Sequence, residues 1–185
     1  MNHLDTITKS IALGGSRRLV VVNDRDVEIK EDGSSSKRAF FPGRRWARFV
    51  LLVDEIDNAV VSAMDEKPIQ FKNHLGGKLH VSVTNDVPCI DLRKWFVSKH
   101  DNRMLPTTRG IALTYRQWDA VKQAVEQLKT EVPELSMIDP CWHSNPYEMS
   151  ECSEYSPFGN ICNTGDDSQS QKEPASPNPL CLVID

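Results

Sequence analysis

The chain has 185 residues, of which 39% are hydrophobic, and a formal net charge of -4 from 22 Lys and Arg against 26 Asp and Glu. That suffices for one domain or two small ones with a buried core. The longest apolar run in the periodic part, FVLLV at 49–53, is far short of the roughly 18 residues a membrane span needs, so no membrane partner is expected. MNHLDTITKSIALGG lacks a basic flank followed by a long apolar segment, so no secretory signal is expected and the chain is assigned to the cytosol or nucleus.

The first copy of an internal repeat begins at Leu13-Gly14-Gly15 and runs to residue 63. It reads as a strand (RRLVVV), an Asn23-Asp24 turn, a second strand (DVEIK), a polar loop (EDGSSSKR) and a segment containing Pro42. It ends in a helical stripe of Leu52, Ile56, Ala59, Val60 and Ala63, with Asp54 and Glu55 near its N-terminus, where the helix dipole favours acids. MDEKPIQFK, residues 64–72, reads as a linker.

The second copy, residues 73–132, repeats the order at an offset of 62: Leu75-Gly76-Gly77, then KLHVSV, Asn85-Asp86 and PCIDLRKWF. Alternation places Leu79, Val81 and Val83 on one face and His80, Ser82 and Thr84 on the other. Ile111 and Leu113 continue it, and Thr114 with Gln117 forms a capping-box signature. Trp118, Val121, Val125 and Leu128 follow at helical spacing. At the same offset Trp118-Asp119 falls on Ile56-Asp57, so Trp118 is expected to meet a counterpart near Ile56. From residue 136 the chain turns into a Ser-, Pro- and acid-rich tail to 185, expected to be disordered. Residues 141–185 carry net -6, which leaves +2 on the body. Four of the five cysteines, Cys141, Cys152, Cys162 and Cys181, lie there without a CxxC pair, so neither a zinc site nor a disulfide framework is expected.

The polar faces carry the candidate chemistry. Lys78, His80, Arg93, Trp95, Lys99, Arg103 and Arg109 fall on the face and loops of the second copy, and Arg17, Arg18, Arg45, Trp46 and Arg48 on the first. Cations interleaved with aromatics suit single-stranded nucleic acid, because the cations track phosphates while rings stack on unpaired bases. The bland reading of the same residues is a solvated sheet that resists edge pairing. GxSxG, HExxH and GxxxxGK[ST] are absent, His74, His80 and His100 read as isolated surface histidines, and neither catalysis nor a cofactor nor a metal is expected.

KLHVSVTNDVPCIDLRKWFVSKHDNRMLPTTRGIALTYRQWDAV resembles the C-terminal domain of the transcriptional coactivator positive cofactor four, whose VSV strand, IDIRxYW-like strand, P-x-[RK]-[RK]-G-I-S-L strand and xxQW helix start follow in that order. The resemblance implies a curved antiparallel sheet plus one helix that works as a dimer, with helices packed together and sheets forming channels for single-stranded DNA. It places Lys78 and His80 on the first strand, Arg93 and Trp95 on the second and Arg109 with Gly110 at the start of the last. Thr108 stands where the family carries a second basic residue, and His80 where it carries an aromatic.

The expected fold is therefore α+β: two repeats of curved antiparallel sheet followed by one helix, packed as an intramolecular pseudo-dimer through Trp118, Val121, Val125, Ile56 and Val60, with a disordered tail. The expected function is that of a nuclear single-stranded-DNA-binding coactivator in RNA polymerase II transcription, with single-stranded DNA, RNA or melted duplex and transcription-machinery proteins as partners. Two alternatives stand beside it: a protein-interaction scaffold with a degenerate nucleic-acid face, and a binder like the purine-rich-element-binding proteins. A homodimer remains the alternative to the pseudo-dimer.

Overall fold

The computed structural model describes residues 6–101 and 103–140. Four antiparallel strands, β1 (Ile7–Gly14), β2 (Arg17–Val22), β3 (Asp26–Glu31) and β4 (Arg38–Phe41), form one sheet in sequential order, followed by helices α1 (Gly43–Leu51) and α2 (Val53–Met64). A second sheet repeats that order with β5 (Gln70–Gly76), β6 (Leu79–Thr84), β7 (Cys89–Val97) and β8 (Met104–Thr114). Helix α3 (Tyr115–Glu131) and a short 3₁₀ turn (Pro133–Met137) follow. The expected α+β architecture of two sheets, each followed by helix, is present. No helix among the described residues is long and apolar enough to cross a membrane.

Both sheets start earlier than the LGG signature, which closes the first strand of each rather than opening the repeat. β5 therefore takes residues from the expected linker. The tight turns follow from backbone permissiveness: Gly14-Gly15 and Gly76-Gly77 all have positive φ, which glycine adopts without a Cβ clash. Asn23 and Asp24 also lie in the left-handed region, at φ 52° and 55°, as the central residues of a type I′ turn do, and Arg25 N closes that turn on Val22 O at 3.2 Å. In the second sheet Asn85 keeps a duty it shares with Asn23. Asn85 Oδ1 accepts from Ile69 N at 2.7 Å, just as Asn23 Oδ1 accepts from Thr6 N at 3.0 Å. Each asparagine thus pins the entry to the first strand of its sheet.

Alternation buries one face of each sheet. Leu19 pairs with Ile29 and Val21 with Val27, and in the second sheet Val81 pairs with Leu92 and Val83 with Ile90; all of these side chains are buried. The last strands shift the correspondence. Phe41 pairs with Val27 while Leu113 pairs with Ile90, so Leu113 matches Phe41 at a distance of 72 positions rather than 62. The reason is the longer β7–β8 arm. Helix starts shift equally: Pro42 is the N-cap of α1 and Thr114 that of α3, which makes Trp46 the counterpart of Trp118. The expected equivalence of Trp118 with Ile56 is corrected accordingly, while the expected meeting of Trp118 with the first half near Ile56 is present through Asp57. The single expected first-copy helix is also divided at Leu52, where the amide bonds back to Phe49 O at 3.0 Å in the tighter 3₁₀ manner.

The two halves share one core. Trp118, Val121, Val125, Ile56 and Val60, the expected pairing residues, are all buried in it. The Phe49 and Trp118 rings meet edge-on with centroids 6.1 Å apart. Trp118 Nε1 and Lys122 Nζ both donate to Asp57 Oδ1, at 2.9 and 2.6 Å. The Lys122 ammonium, followed by the indole N–H, holds the Asp57 carboxyl below its ordinary range. Further ties cross between the halves: Gln117 Nε2 to Gly14 O at 3.2 Å, Gly110 N to Ser36 O at 3.2 Å and Lys9 to Glu131 at 2.5 Å. The 3₁₀ turn buries Leu135 and rests Ile138 on the core. The described fold thus continues past residue 136, where the tail was expected to begin; residues 141–185 lie outside the described residues.

Trp118→Ala is expected to cost about 3–5 kcal/mol, as large aromatic truncations in cores do. Because Phe49 shares the contact, Phe49→Ala in the Trp118→Ala background should cost less than it does alone. Urea unfolding of the four proteins measures both, and a single transition is expected because the core is common.

Candidate nucleic-acid interface

Outward-facing residues of the second sheet form rows set by register. His74, His80, Arg93 and Gly110 lie across one row, and Lys72, Ser82, Asp91 and Ala112 across the next. Gly110 is required by close approach: a Cβ there would lie 2.6 Å from both Arg93 Cα and Leu92 O. Trp95, two residues beyond Arg93 on β7, shares this face by alternation, its amide bonding to Lys78 O at 2.8 Å, while the register shift between the two places the extra residues on β8.

Trp95 is the centre of a cluster. Lys72 Nζ sits 3.2 Å from the centroid of its ring, a cation–π contact. The His80 ring meets it edge-on at 5.9 Å, and His74 lies 4.9 Å from His80. Packing over the indole takes water from the Lys72 ammonium and lowers its pKa. His80 is 8% exposed. Burial lowers its pKa against an opposing hydrogen bond to Lys78 O, and the Lys72 charge adds to the lowering. His74 is pushed down to about 3 by burial first, then by His80, Arg45 and Arg48. Both imidazoles are neutral at ordinary pH, so they present aromatic surface rather than charge.

The expected site residues divide by placement. Lys78, Lys99, Arg103 and Arg109 are exposed on the second half, Lys78 in the β5–β6 turn at φ 65°. Arg103 pairs with Asp101 at 3.5 Å. Arg93 is half-buried and committed: Nε meets Asp91 Oδ2 at 2.5 Å and Nη1 reaches Thr107 O at 3.3 Å. Burial raises the pKa of Asp91, and the Arg93 guanidinium opposes that rise. Asp91 Oδ1 and Trp95 Nε1 are enclosed without a hydrogen-bond partner, a cost that folded proteins concentrate where something other than stability is served.

First-half candidates are placed differently. Trp46 is 3% exposed, with its ring against Phe41 and Phe49; as the counterpart of Trp118 it fills the core, so its expected base stacking is corrected. Arg17 donates to Ala112 O and, at 2.5 Å, to Gln117 Oε1, which makes it a tie between the halves. Arg45 is buried and donates to Phe40 O at 3.1 Å. Arg48 is half-buried on α1, near enough to His74 to lower its pKa. Arg18 is bound to Asp32 through Nη2 at 2.6 Å.

Lys72 escaped the sequence reading because it was placed in the linker. Alternation in QFKNHL carried the signal, since Phe71 and Leu75 face inward around it. Phe96, Val97 and Met104, all exposed near the tip of the β7–β8 arm, were also missed; Val97 and its partner Met104 share the Trp95 face by alternation, and Phe96 lies on the other.

Fold and face together define an α+β chain with one open, cation- and aromatic-lined sheet surface, the type of platform on which unpaired bases stack. Residues 73–124 match the family model described as Transcriptional Coactivator p15 (PC4), a DNA-binding coactivator domain. That similarity covers the second half, the part bearing the Trp95 cluster. No curated protein and no solved structure matches the chain.

Linkage gives the His74 environment a pH signature. The unfolded imidazole takes a proton near pH 6.5 while the folded one resists until about 3, so the unfolded state binds more protons in that window and stability falls as pH drops through it. His74→Gln should flatten the loss between pH 6.5 and 5, where few carboxylates titrate, in denaturation midpoints measured across that range.

Proposed function

We propose that this chain binds single-stranded nucleic acid through the outer face of its second sheet and works in the nucleus as a coactivator-like protein in RNA polymerase II transcription, without bond-making chemistry. The observation that carries the reading is the Lys72–Trp95–His80 cluster on an open sheet, with His80 and Trp95 inside the segment that matches the coactivator family and Lys72 immediately before it. In the free protein Lys72 covers the indole. An incoming base takes that place on the ring, and the ammonium, relieved of its desolvation, moves to the neighbouring phosphate. Lys78, Lys99, Arg103 and Arg109 supply the track for the backbone on either side of it.

Duplex DNA hides its base faces, so the same surface favours unpaired strands. The first half covers the apolar face of the second sheet and takes the place a second chain would hold, which makes the chain an intramolecular pseudo-dimer.

Fluorescence anisotropy with labelled single and double strands tests the reading. Single strands should bind more tightly, affinity should fall steeply with salt as counterions are released, and Trp95→Ala should cost about 1–3 kcal/mol. Equal weak binding of single and double strands would favour the protein-interaction scaffold.

A further inference from the structure

The two sheets share a register, so their outer faces can be compared position by position. Lys72 pairs with Ser82 as Ser10 pairs with Val20, and His74 pairs with His80 as Ala12 pairs with Arg18. Trp95 N bonds Lys78 O at 2.8 Å as Asp32 N bonds Ser16 O at 2.8 Å. The counterparts of Lys72, His74, His80 and Trp95 are therefore Ser10, Ala12, Arg18 and Asp32. Where the second sheet has a histidine ring against an indole, the first has a bidentate ion pair, Arg18 Nε and Nη2 to Asp32 Oδ2 at 3.1 and 2.6 Å.

Other cations of the first face are held in the same way. Glu28, 7% exposed, binds Lys30 at 3.3 Å and Arg38 at 3.2 Å. Glu31, with Lys37 at 2.9 Å and Arg17 at 3.5 Å, falls on the opposite, inward parity of the sheet, so those two cations are held away from this face. A phosphate approaching this face must displace carboxylates that already occupy the donors, and the one large ring exposed there among the described residues, Phe40, stands opposite the Glu28 carboxylate rather than beneath a lysine. The β3–β4 arm is also short and lacks counterparts of Phe96, Lys99, Arg103 and Met104.

We infer that the chain carries one strand-binding face and not two: its ligand is a single unpaired strand, held by the second half, while the first half is a closed partner that completes the fold. This rests on the reading of the second face as a nucleic-acid platform. A surface that engages both strands of a melted duplex needs two open faces, and this chain offers one.

The test uses the full chain with a thymidine oligonucleotide of about 16 nucleotides, titrated in native mass spectrometry and by anisotropy. One strand per chain is expected. Lys72→Ala and Trp95→Ala should each weaken binding about fivefold or more, whereas Arg18→Ala and Asp32→Ala, at an exposed ion pair, should leave affinity within about twofold, the resolution of such titrations. Two strands per chain, or an Arg18→Ala loss equal to that of Lys72→Ala, would overturn the inference while leaving nucleic-acid binding intact. Absence of any strand binding would instead overturn the proposed function, and the inference with it.

Discussion

The contact of α1 and α2 with α3, centred on Trp118, is the constraint on which the rest depends. A four-stranded open sheet has one apolar face, and a single short helical unit cannot cover it from water. Here α1 packs against β5, α2 against β6 and α3 against β1, so each half shields the other's sheet. The buried area is common property, and neither half retains a closed core without its neighbour. Asp57 makes the arrangement specific as well as favourable. Its carboxylate answers both the indole N–H and the Lys122 ammonium, and sliding one helix along the other would leave those donors without it.

Because helices occupy one face of each sheet, the opposite faces are relieved of any duty to the core and are free to differ. They do differ. In both sheets an acid sits two residues before a cation on the third strand, Glu28 with Lys30 and Asp91 with Arg93, and in both the pair is formed. That shared pair is a feature of the sheet and carries no distinction between the halves. The distinction lies one row away, where Lys72, His74, His80 and Trp95 gather. Two of those four are imidazoles kept neutral by burial, so the local charge comes from lysine and the surface beside it is aromatic. A face built in this way attracts a phosphate at one point and offers a ring next to it.

Much of the fold was legible because alternation is a local signal. Leu79, Val81 and Val83 had to face one way, and the Thr114–Gln117 capping box marked the start of α3, with both reciprocal hydrogen bonds formed. Three things were not legible. Helix pairing was read with one constant offset, which sent Trp118 to Ile56; no local property of the sequence announces that an arm has lengthened, and only the strand register shows it. Trp46 was read as exposed because it stands among arginines, yet its position relative to the helix start is that of Trp118, and helical phase outweighs neighbouring charge in deciding burial. Ion pairing was invisible for the same reason that a count of basic residues misled: Arg17, Arg18, Lys30, Lys37 and Arg38 look like a basic face until their carboxylate partners are placed beside them.

The change of offset from 62 to 72 is itself informative about how such a face arises. One added residue falls in the β6–β7 loop, where the offset becomes 63, and the rest in the β7–β8 arm, beyond the last inward-facing pair of the core, Leu92 with Ile111. Residues added there leave every buried contact untouched, so their cost to stability is mainly that of closing a longer loop, which grows slowly with length. They add exposed side chains, Lys99, Arg103 and Met104 among them, to the arm beyond Trp95. A bulge at the root of the arm, between Arg93 and Trp95, re-aims the strand at the point where the core ends, as bulges do beside functional surfaces. Lengthening the arm in one half thus makes the two outer faces differ without disturbing the symmetry that the shared core requires.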